Sequence, residues 1–161
     1  MQIIFLPPWL AILLVVVIWP LLQVPISAMG NAIPDRRFDA ESFFFKSRNW
    51  EKDGKFYEKV FKIRKWKGRL PDGAKLFKAG FEKGELKTKD PEYIEAFIKE
   101  TCRAELVHWL QILPFWVFGL WAPPFIIWIM LAYALAANLP CILAQRYNRP
   151  RLKRIYNRLM K

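Results

Sequence analysis

Charged side chains are absent from two long stretches of the sequence and are concentrated in the segments between and after them. Residues 1–34 contain no Asp, Glu, Lys or Arg, and residues 106–145 contain none either, although they include the one histidine, His108. A charged side chain at the centre of a bilayer costs about 2.5–3.5 kcal/mol on insertion scales, whereas water imposes no such exclusion. The pattern therefore predicts an integral membrane protein.

The lengths of the two charge-free stretches predict three transmembrane helices. About 20 helical residues cross the hydrocarbon layer, so the first stretch fits one span at about 5–25. The second stretch fits two spans, at about 104–121 and 125–145, separated by the proline-rich sequence at 121–124, where proline ends one helix and begins the next. We therefore expect an all-α integral membrane protein in which residues 1–161 form a single membrane domain.

The distribution of basic residues predicts the orientation. The loop at 35–103 contains 19 basic and 13 acidic residues, and the tail at 146–161 contains seven basic residues and no acidic one. Basic segments stay in the cytoplasm, which predicts an outside N-terminus, an inside C-terminus and a multi-pass protein of the cell membrane. The alternative for residues 1–28 is a cleaved signal peptide with its cleavage site at 27–30, although the basic start of such peptides is missing.

The net charge of +12 indicates an anionic partner. We interpret it as attraction to anionic lipid head groups, at about 1 kcal/mol per basic residue, because the sequence contains no nucleic-acid-binding motif. The loop at 35–103 is also rich in aromatic residues and includes a short amphipathic helix at 55–66, which predicts an interfacial cytoplasmic segment. Near its end, Asp90-Pro91-Glu92 predicts the start of a helix that continues into the second span.

A few polar residues interrupt the second charge-free stretch and its borders. Glu105 and His108 are three residues apart and share a helix face, while Asn138, Cys141 and Gln145 form a stripe on the third span. A hairpin between the two spans brings His108 level with Asn138, and Glu105 level with Cys141. We expect these side chains to form one layer about one to two turns below the cytoplasmic surface, a depth at which polar groups usually mark a functional site.

This polar layer contains the residue types that acid–base catalysis requires. His108 is the candidate general base, and Glu105 or Glu100 would orient it and stabilise its protonated form. Cys141 is a minor candidate nucleophile, because an apolar helix raises the pKa of a thiol. The candidates for binding an oxyanion, a sugar hydroxyl or a phosphate are Asn138, Gln145, Arg103, Arg146 and Arg149. The alternative is that these side chains only hold the helices together.

No metal site is expected. Glu105 and His108 have the spacing of one part of a di-iron site, but such a site needs a second copy and further carboxylates. The chain contains one histidine and two cysteines, which is too few for the usual zinc site.

Three blocks of the sequence resemble the glycosyl-4,4′-diaponeurosporenoate acyltransferase family, which is named for the last step of staphyloxanthin synthesis. The blocks are 66–73, 100–109 and 138–149, within a resemblance that covers about residues 45–152. The resemblance implies that a fatty acyl chain is esterified onto a sugar hydroxyl of a glycosylated carotenoid or a related glycolipid. It also implies acyl-CoA or acyl-carrier protein as the donor, with no bound cofactor.

The resembling blocks add Trp66, Asp72 and Asn148 to the candidate substrate-binding residues. Three helices form a thin shell around a lipid-sized site, which favours a homo-oligomer. The alternative to an enzyme is a non-catalytic membrane scaffold or a lipid-binding subunit of a larger complex.

Overall fold

The described part of the chain contains four α-helices, with short 3₁₀ segments between them. The computed structural model describes residues 2–70 and 90–161, which contain no β-strand. The α-helices are α1 Pro8–Ala32, α2 Lys55–Phe61, α3 Pro91–Ile112 and α4 Pro124–Leu159. The 3₁₀ segments are Asp35–Arg37, Asn49–Gly54, Ile63–Lys65, Lys67–Arg69 and Leu113–Leu120. The prediction of an all-α protein is therefore confirmed for the described residues.

Helices α1 and α4 are long and apolar enough to cross a membrane. Their most apolar 18-residue windows have mean hydropathies of 2.4 and 2.1, and only 6% and 22% of these windows is buried inside the protein. Large side chains such as Trp9, Val16 and Trp128 therefore face outward. Apolar surface on this scale is typical of contact with lipid. The two helices contain most of the predicted first and third spans.

The predicted second span, 104–121, is not one continuous α-helix. Helix α3 ends at Ile112, and Leu113–Leu120 continues as a 3₁₀-helix. Pro114 explains the change, because proline lacks an N–H and its ring clashes with the carbonyl four residues earlier. The predicted break at 121–124 is confirmed, since α4 begins at Pro124.

The predicted start of α3 is confirmed, whereas α4 is longer than expected. The Asp90 carboxylate accepts a hydrogen bond from the Glu92 N–H at 3.3 Å, and Pro91 is the first helical residue. Helix α4 does not end near 145 but continues to Leu159 through Pro140 and Pro150. Most of the basic tail is therefore a helical extension of the third predicted span.

The segment before α3 lies against α4. The predicted helix at 55–66 stops at Phe61, because Lys62 has a left-handed backbone with φ 49°. Tyr57 and Ile63 are buried together with Tyr147 of α4. Gly54 has φ 84°, and a Cβ at this position would lie 3.0 Å from the Tyr147 carbonyl oxygen. Only glycine combines that backbone with so close an approach, which keeps the segment in contact with α4.

Helix α1 approaches α3 even more closely. A Cβ added to Gly30 would lie 2.2 Å from Cγ2 of Val107, a distance that no side chain tolerates. Helix α3 in turn packs along α4. The polar residues of α3 therefore lie between the two apolar helices.

Candidate active site

A histidine–asparagine pair joins α3 and α4 within the predicted polar layer. His108 Nδ1 and Asn138 Oδ1 are 2.8 Å apart, which confirms that these two residues lie level in the hairpin. Asn138 is buried and His108 is half-buried. The pair is therefore largely enclosed on the side of Asn138 and less enclosed on the side of His108.

The hydrogen bonds of Asn138 determine which nitrogen of His108 carries the proton. Asn138 Nδ2 donates to the Ala134 carbonyl oxygen at 2.9 Å, which turns Oδ1 toward the imidazole. Since an amide oxygen only accepts, Nδ1 of His108 is the donor. In the neutral ring Nε2 then carries the lone pair, and this is the form that removes a proton from a substrate.

A buried carboxylate, Glu105, binds two arginines of α4. Its Oε1 accepts from Arg146 Nε at 2.7 Å, and its Oε2 accepts from Arg149 Nη2 at 2.6 Å. The side chain of Glu105 is 0% exposed, and those of Arg146 and Arg149 are 17% and 2% exposed. We refer to these three residues, together with Glu51, as the charged clasp. It joins the two helices about one turn from His108.

Glu51 completes the charged clasp and was missed in the sequence. This carboxylate accepts from Arg146 Nη1 at 2.5 Å and from the Tyr57 hydroxyl at 2.6 Å, and it is 1% exposed. Burial and the bond to Glu51 raise the pKa of Tyr57, so its hydroxyl remains a donor. One local feature of the sequence could have indicated a role for Glu51: it lies three residues after Arg48. The backbone N–H of Arg48 donates to the Glu51 carboxylate at 2.9 Å.

The remaining hydrogen bonds of Arg149 also lie within the protein. Arg149 donates to the Thr101 hydroxyl at 3.0 Å, to the Thr101 carbonyl at 2.9 Å and to the Phe45 carbonyl at 2.8 Å. Together with the bond to Glu105, Arg149 makes four hydrogen bonds, and a guanidinium has five N–H donors. These contacts favour a structural role for Arg149 over phosphate binding.

Arg103 connects α3 to the C-terminal end of α1. It donates to the carbonyl oxygens of Gly30 at 2.9 Å and Ile33 at 2.6 Å, and it forms ion pairs with Glu100 and Asp35. A cation at this end of a helix binds the last carbonyls and complements the helix dipole. Arg103 and Glu100 therefore fix α1 against α3, away from His108.

The other predicted site residues are distributed over α4 and the adjoining segment. Gln145 lies on the same stripe as Asn138 and is half-buried, and its amide has no hydrogen-bond partner among the described residues. Asn148 accepts from Lys67 Nζ at 2.7 Å, and the Trp66 indole donates to the Phe61 carbonyl at 2.8 Å. Asp72 lies outside the described residues.

The cysteines and acidic residues show no metal-binding cluster in the part of the chain that the structure describes. Cys102 and Cys141 are both buried free thiols. Burial of Cys141 does not favour it as a nucleophile, because reactive cysteines are usually partly exposed and lie in an electropositive environment.

The comparisons with known proteins agree on one family. The family model described as glycosyl-4,4′-diaponeurosporenoate acyltransferase matches residues 41–158. A relative of that name from Staphylococcus aureus strain MRSA252 is 44% identical over 137 residues, which cover 85% of this chain and 82% of the relative. The relatives from strains bovine RF122 / ET3-1 and USA300 are 43% identical over the same lengths. No solved structure matches the chain.

Proposed function

The chain belongs to the glycosyl-4,4′-diaponeurosporenoate acyltransferase family, and from this premise we propose that it esterifies a fatty acyl chain onto a sugar hydroxyl of a glycosylated carotenoid or a related glycolipid. The matched residues, 41–158, include both members of the His108–Asn138 pair. That pair is the observation that carries the catalytic assignment, because the amide oxygen of Asn138 orients the imidazole and fixes Nδ1 as its donor.

The proposed reaction is general-base-catalysed transfer from an acyl thioester. His108 Nε2 removes the proton from the sugar hydroxyl while the hydroxyl oxygen attacks the carbonyl carbon. The C–S bond then breaks, and the leaving thiolate takes the proton back from His108, so that an ester and a thiol are formed. Proton transfer by a positioned base contributes about 10²–10⁴-fold to such a rate. Acyl-CoA or acyl-carrier protein would supply the thioester.

Other residues support this base in different ways. Asn138 holds the Nδ1 proton and so fixes the reactive form of the ring. The amide of Gln145 is the proposed donor to the oxyanion of the intermediate, since it is half-buried on the stripe of Asn138. Glu105 and Glu100 are proposed as positioning residues, because each holds an arginine that fixes the helices.

The proposed location is the cell membrane, with the polar layer near the cytoplasmic side. We propose that α1, α4 and the α3–3₁₀ unit each cross the bilayer, with the N-terminus outside. The exposed apolar surface of α1 and α4 supports this arrangement. A cytoplasmic site would give access to soluble acyl thioesters, while the lipid acceptor would enter from the bilayer.

The catalytic role of His108 is tested by lipid mass spectrometry of cells that make the glycosylated acceptor. His108→Ala is expected to lower the esterified product by 10²-fold or more, with an unchanged amount of protein in the membrane. Gln111→Leu is the matched control. Gln111 is also a polar residue of α3, and it donates to the Ser27 hydroxyl at 2.9 Å, which joins α3 to α1.

Two results would contradict the proposal. Normal turnover in His108→Ala would show that the reaction does not require the histidine. Equal losses of product in His108→Ala and Gln111→Leu would indicate that any polar-to-apolar change in this part of α3 disturbs the protein, so that the pair only holds helices together.

A further inference from the structure

An apolar groove runs along the outer side of α4. It has a volume of about 310 Å³ and is lined by Phe61, Trp66, Leu135, Ala136, Leu139, Pro140 and Leu143. This volume lies in the range of small-molecule sites, about 300–1,000 Å³. The groove is open along one side, and its lining offers no hydrogen-bonding side chain except the Trp66 indole, which already donates to Phe61. Its occupant should therefore be a hydrocarbon chain.

A group of cations lies at one end of this groove. Trp66 and Leu143 of the lining also pack against the buried cluster that contains Tyr147. Above the ring of Tyr147 lie the guanidinium of Arg151, with Cζ 3.4 Å from the ring centroid, and the ammonium of Lys67, with Nζ 5.1 Å from it. We refer to Lys67, Arg151 and the neighbouring Arg64 as the basic cluster.

Among the described residues, the basic cluster carries more positive charge than neighbouring carboxylates neutralise. Within residues 2–70 and 90–161, no carboxylate forms an ion pair with any of its three members. The pKa of Lys67 is lowered, first by burial and then by repulsion from Arg151 and Arg64, and Glu58 is the acid that opposes this effect. An anion bound between these cations would relieve their repulsion.

We propose that the groove and the basic cluster together bind one anionic membrane phospholipid, with its phosphate on Lys67 and Arg151 and one acyl chain along α4. This site goes beyond the proposed acyl transfer and does not depend on it. It is a lipid site on the outer side of α4, whereas Asn138 faces α3.

The distance between the charges and the groove favours a phospholipid over an acyl thioester. The Arg151 guanidinium lies at the level of Tyr147, four residues from Leu143, so head group and chain are separated by about 6 Å along the helix. A phospholipid has its phosphate and acyl chain this close together. In an acyl thioester donor, the pantetheine arm separates the phosphate from the acyl chain. If the arm is as extended per bond as a stretched peptide chain, this separation is about 16 Å.

The proposal is tested by native mass spectrometry of the full chain in detergent, titrated with phosphatidylglycerol or with phosphatidylcholine. One phosphatidylglycerol is expected to bind preferentially. Lys67→Gln and Arg151→Gln should each weaken its binding about five-fold, the effect of one basic residue near an anionic head group. Arg158→Gln, which removes the same charge from an exposed residue of α4, should leave it unchanged.

A second pair of variants tests the groove. Ala136→Phe should fill the groove and abolish preferential binding, whereas Ala137→Phe places the same side chain on the next, exposed residue outside the lining. Circular dichroism and unfolding temperatures measured without lipid identify any variant that has lost its fold. The groove and cluster variants differ in chemistry, so a folded member of either set is sufficient for the test.

Several results would overturn the proposal. Equal binding of both lipids would show that the head group is not recognised. Equal losses in Arg151→Gln and Arg158→Gln would indicate general attraction to the basic tail. Displacement of the lipid by glycerol phosphate alone would show that the groove does not contribute to binding. Stronger binding of palmitoyl-CoA than of phosphatidylglycerol, with the same sensitivity to Ala136→Phe, would identify a donor site instead.

Discussion

Glu105→Gln is expected to destabilise the protein severely, because it removes one carboxylate that two buried arginines share. The substitution keeps the size of the side chain and removes its charge. Arg146 would retain Glu51 at 2.5 Å, but Arg149, which is 2% exposed, would lose the one carboxylate within ion-pair distance in the described chain. Breaking a buried ion pair from one side costs about 3–5 kcal/mol. We expect a loss of this size in the free energy of unfolding.

The double variant Glu105→Leu/Arg149→Met distinguishes an unpaired charge from lost packing. It removes both charges of one pair and leaves the Arg146–Glu51 pair in place. Since replacing a whole buried ion pair by apolar residues is often nearly neutral, the double variant should be more stable than Glu105→Gln. A coupling of about 0.5–3 kcal/mol is typical of groups in direct contact.

The assay is denaturant-induced unfolding in detergent micelles, followed by circular dichroism and tryptophan fluorescence. Glu95→Gln serves as the control, because the Glu95–Lys99 pair is 46% and 33% exposed and should contribute less than about 0.5 kcal/mol. The reasoning would be refuted if Glu105→Gln cost no more than this control. Additive effects of Glu105→Leu and Arg149→Met would equally refute it, since the two groups would then be energetically independent.

Three further predictions concern helix packing and topology. Gly30→Ala should destabilise the protein by about 1–3 kcal/mol through overpacking, and Val107→Ala should restore the loss, as measured by thermal unfolding; no rescue would place the strain elsewhere. Arg103→Gln should release the C-terminal end of α1 and increase amide hydrogen exchange at 30–38, whereas unchanged exchange would mean that its bonds to those carbonyls are dispensable. An impermeant maleimide should label Gln2→Cys but not Asn157→Cys in intact cells, with little background from the buried native cysteines; the reverse pattern would invert the proposed orientation.

Sequence periodicity was sufficient to predict where most helices lie but not where each of them ends. The charge-free stretches predicted α1 and α4, because hydrophobic length is a property of a single segment. The end of α3 depends on one residue, Pro114, whose effect extends back to Ile112. Beyond residue 145, α4 contacts residues that are distant in the sequence, as in the Lys67–Asn148 bond, and no local pattern predicts such contacts.

The His108–Asn138 contact and the charged clasp, the two parts of the polar layer, were predictable to different degrees. The His108–Asn138 contact follows from hairpin geometry, because short side chains meet only at equal depth. The charged clasp does not follow from it, since arginine side chains reach about a helical turn along the axis. Arg146 and Arg149 therefore reach Glu105 from further along α4, although the hairpin register places Cys141 level with it. Glu51 is separated from Arg146 by 95 residues, so the sequence offered no indication that the two meet.

We expect the two parts of the polar layer to have different roles: the charged clasp stabilises the fold, and the His108–Asn138 pair serves the reaction. The charged clasp fixes α4 against α3 with bonds that are already complete, and Glu105 lies three residues, about 4.5 Å along the helix, from His108. We therefore expect the clasp to set the depth at which Asn138 meets the imidazole, and to affect proton transfer only through that position. It follows that Glu105→Gln should lower acyl transfer only as far as it lowers the folded fraction or displaces Asn138. His108→Ala, in contrast, should remove the reaction from a protein that remains folded.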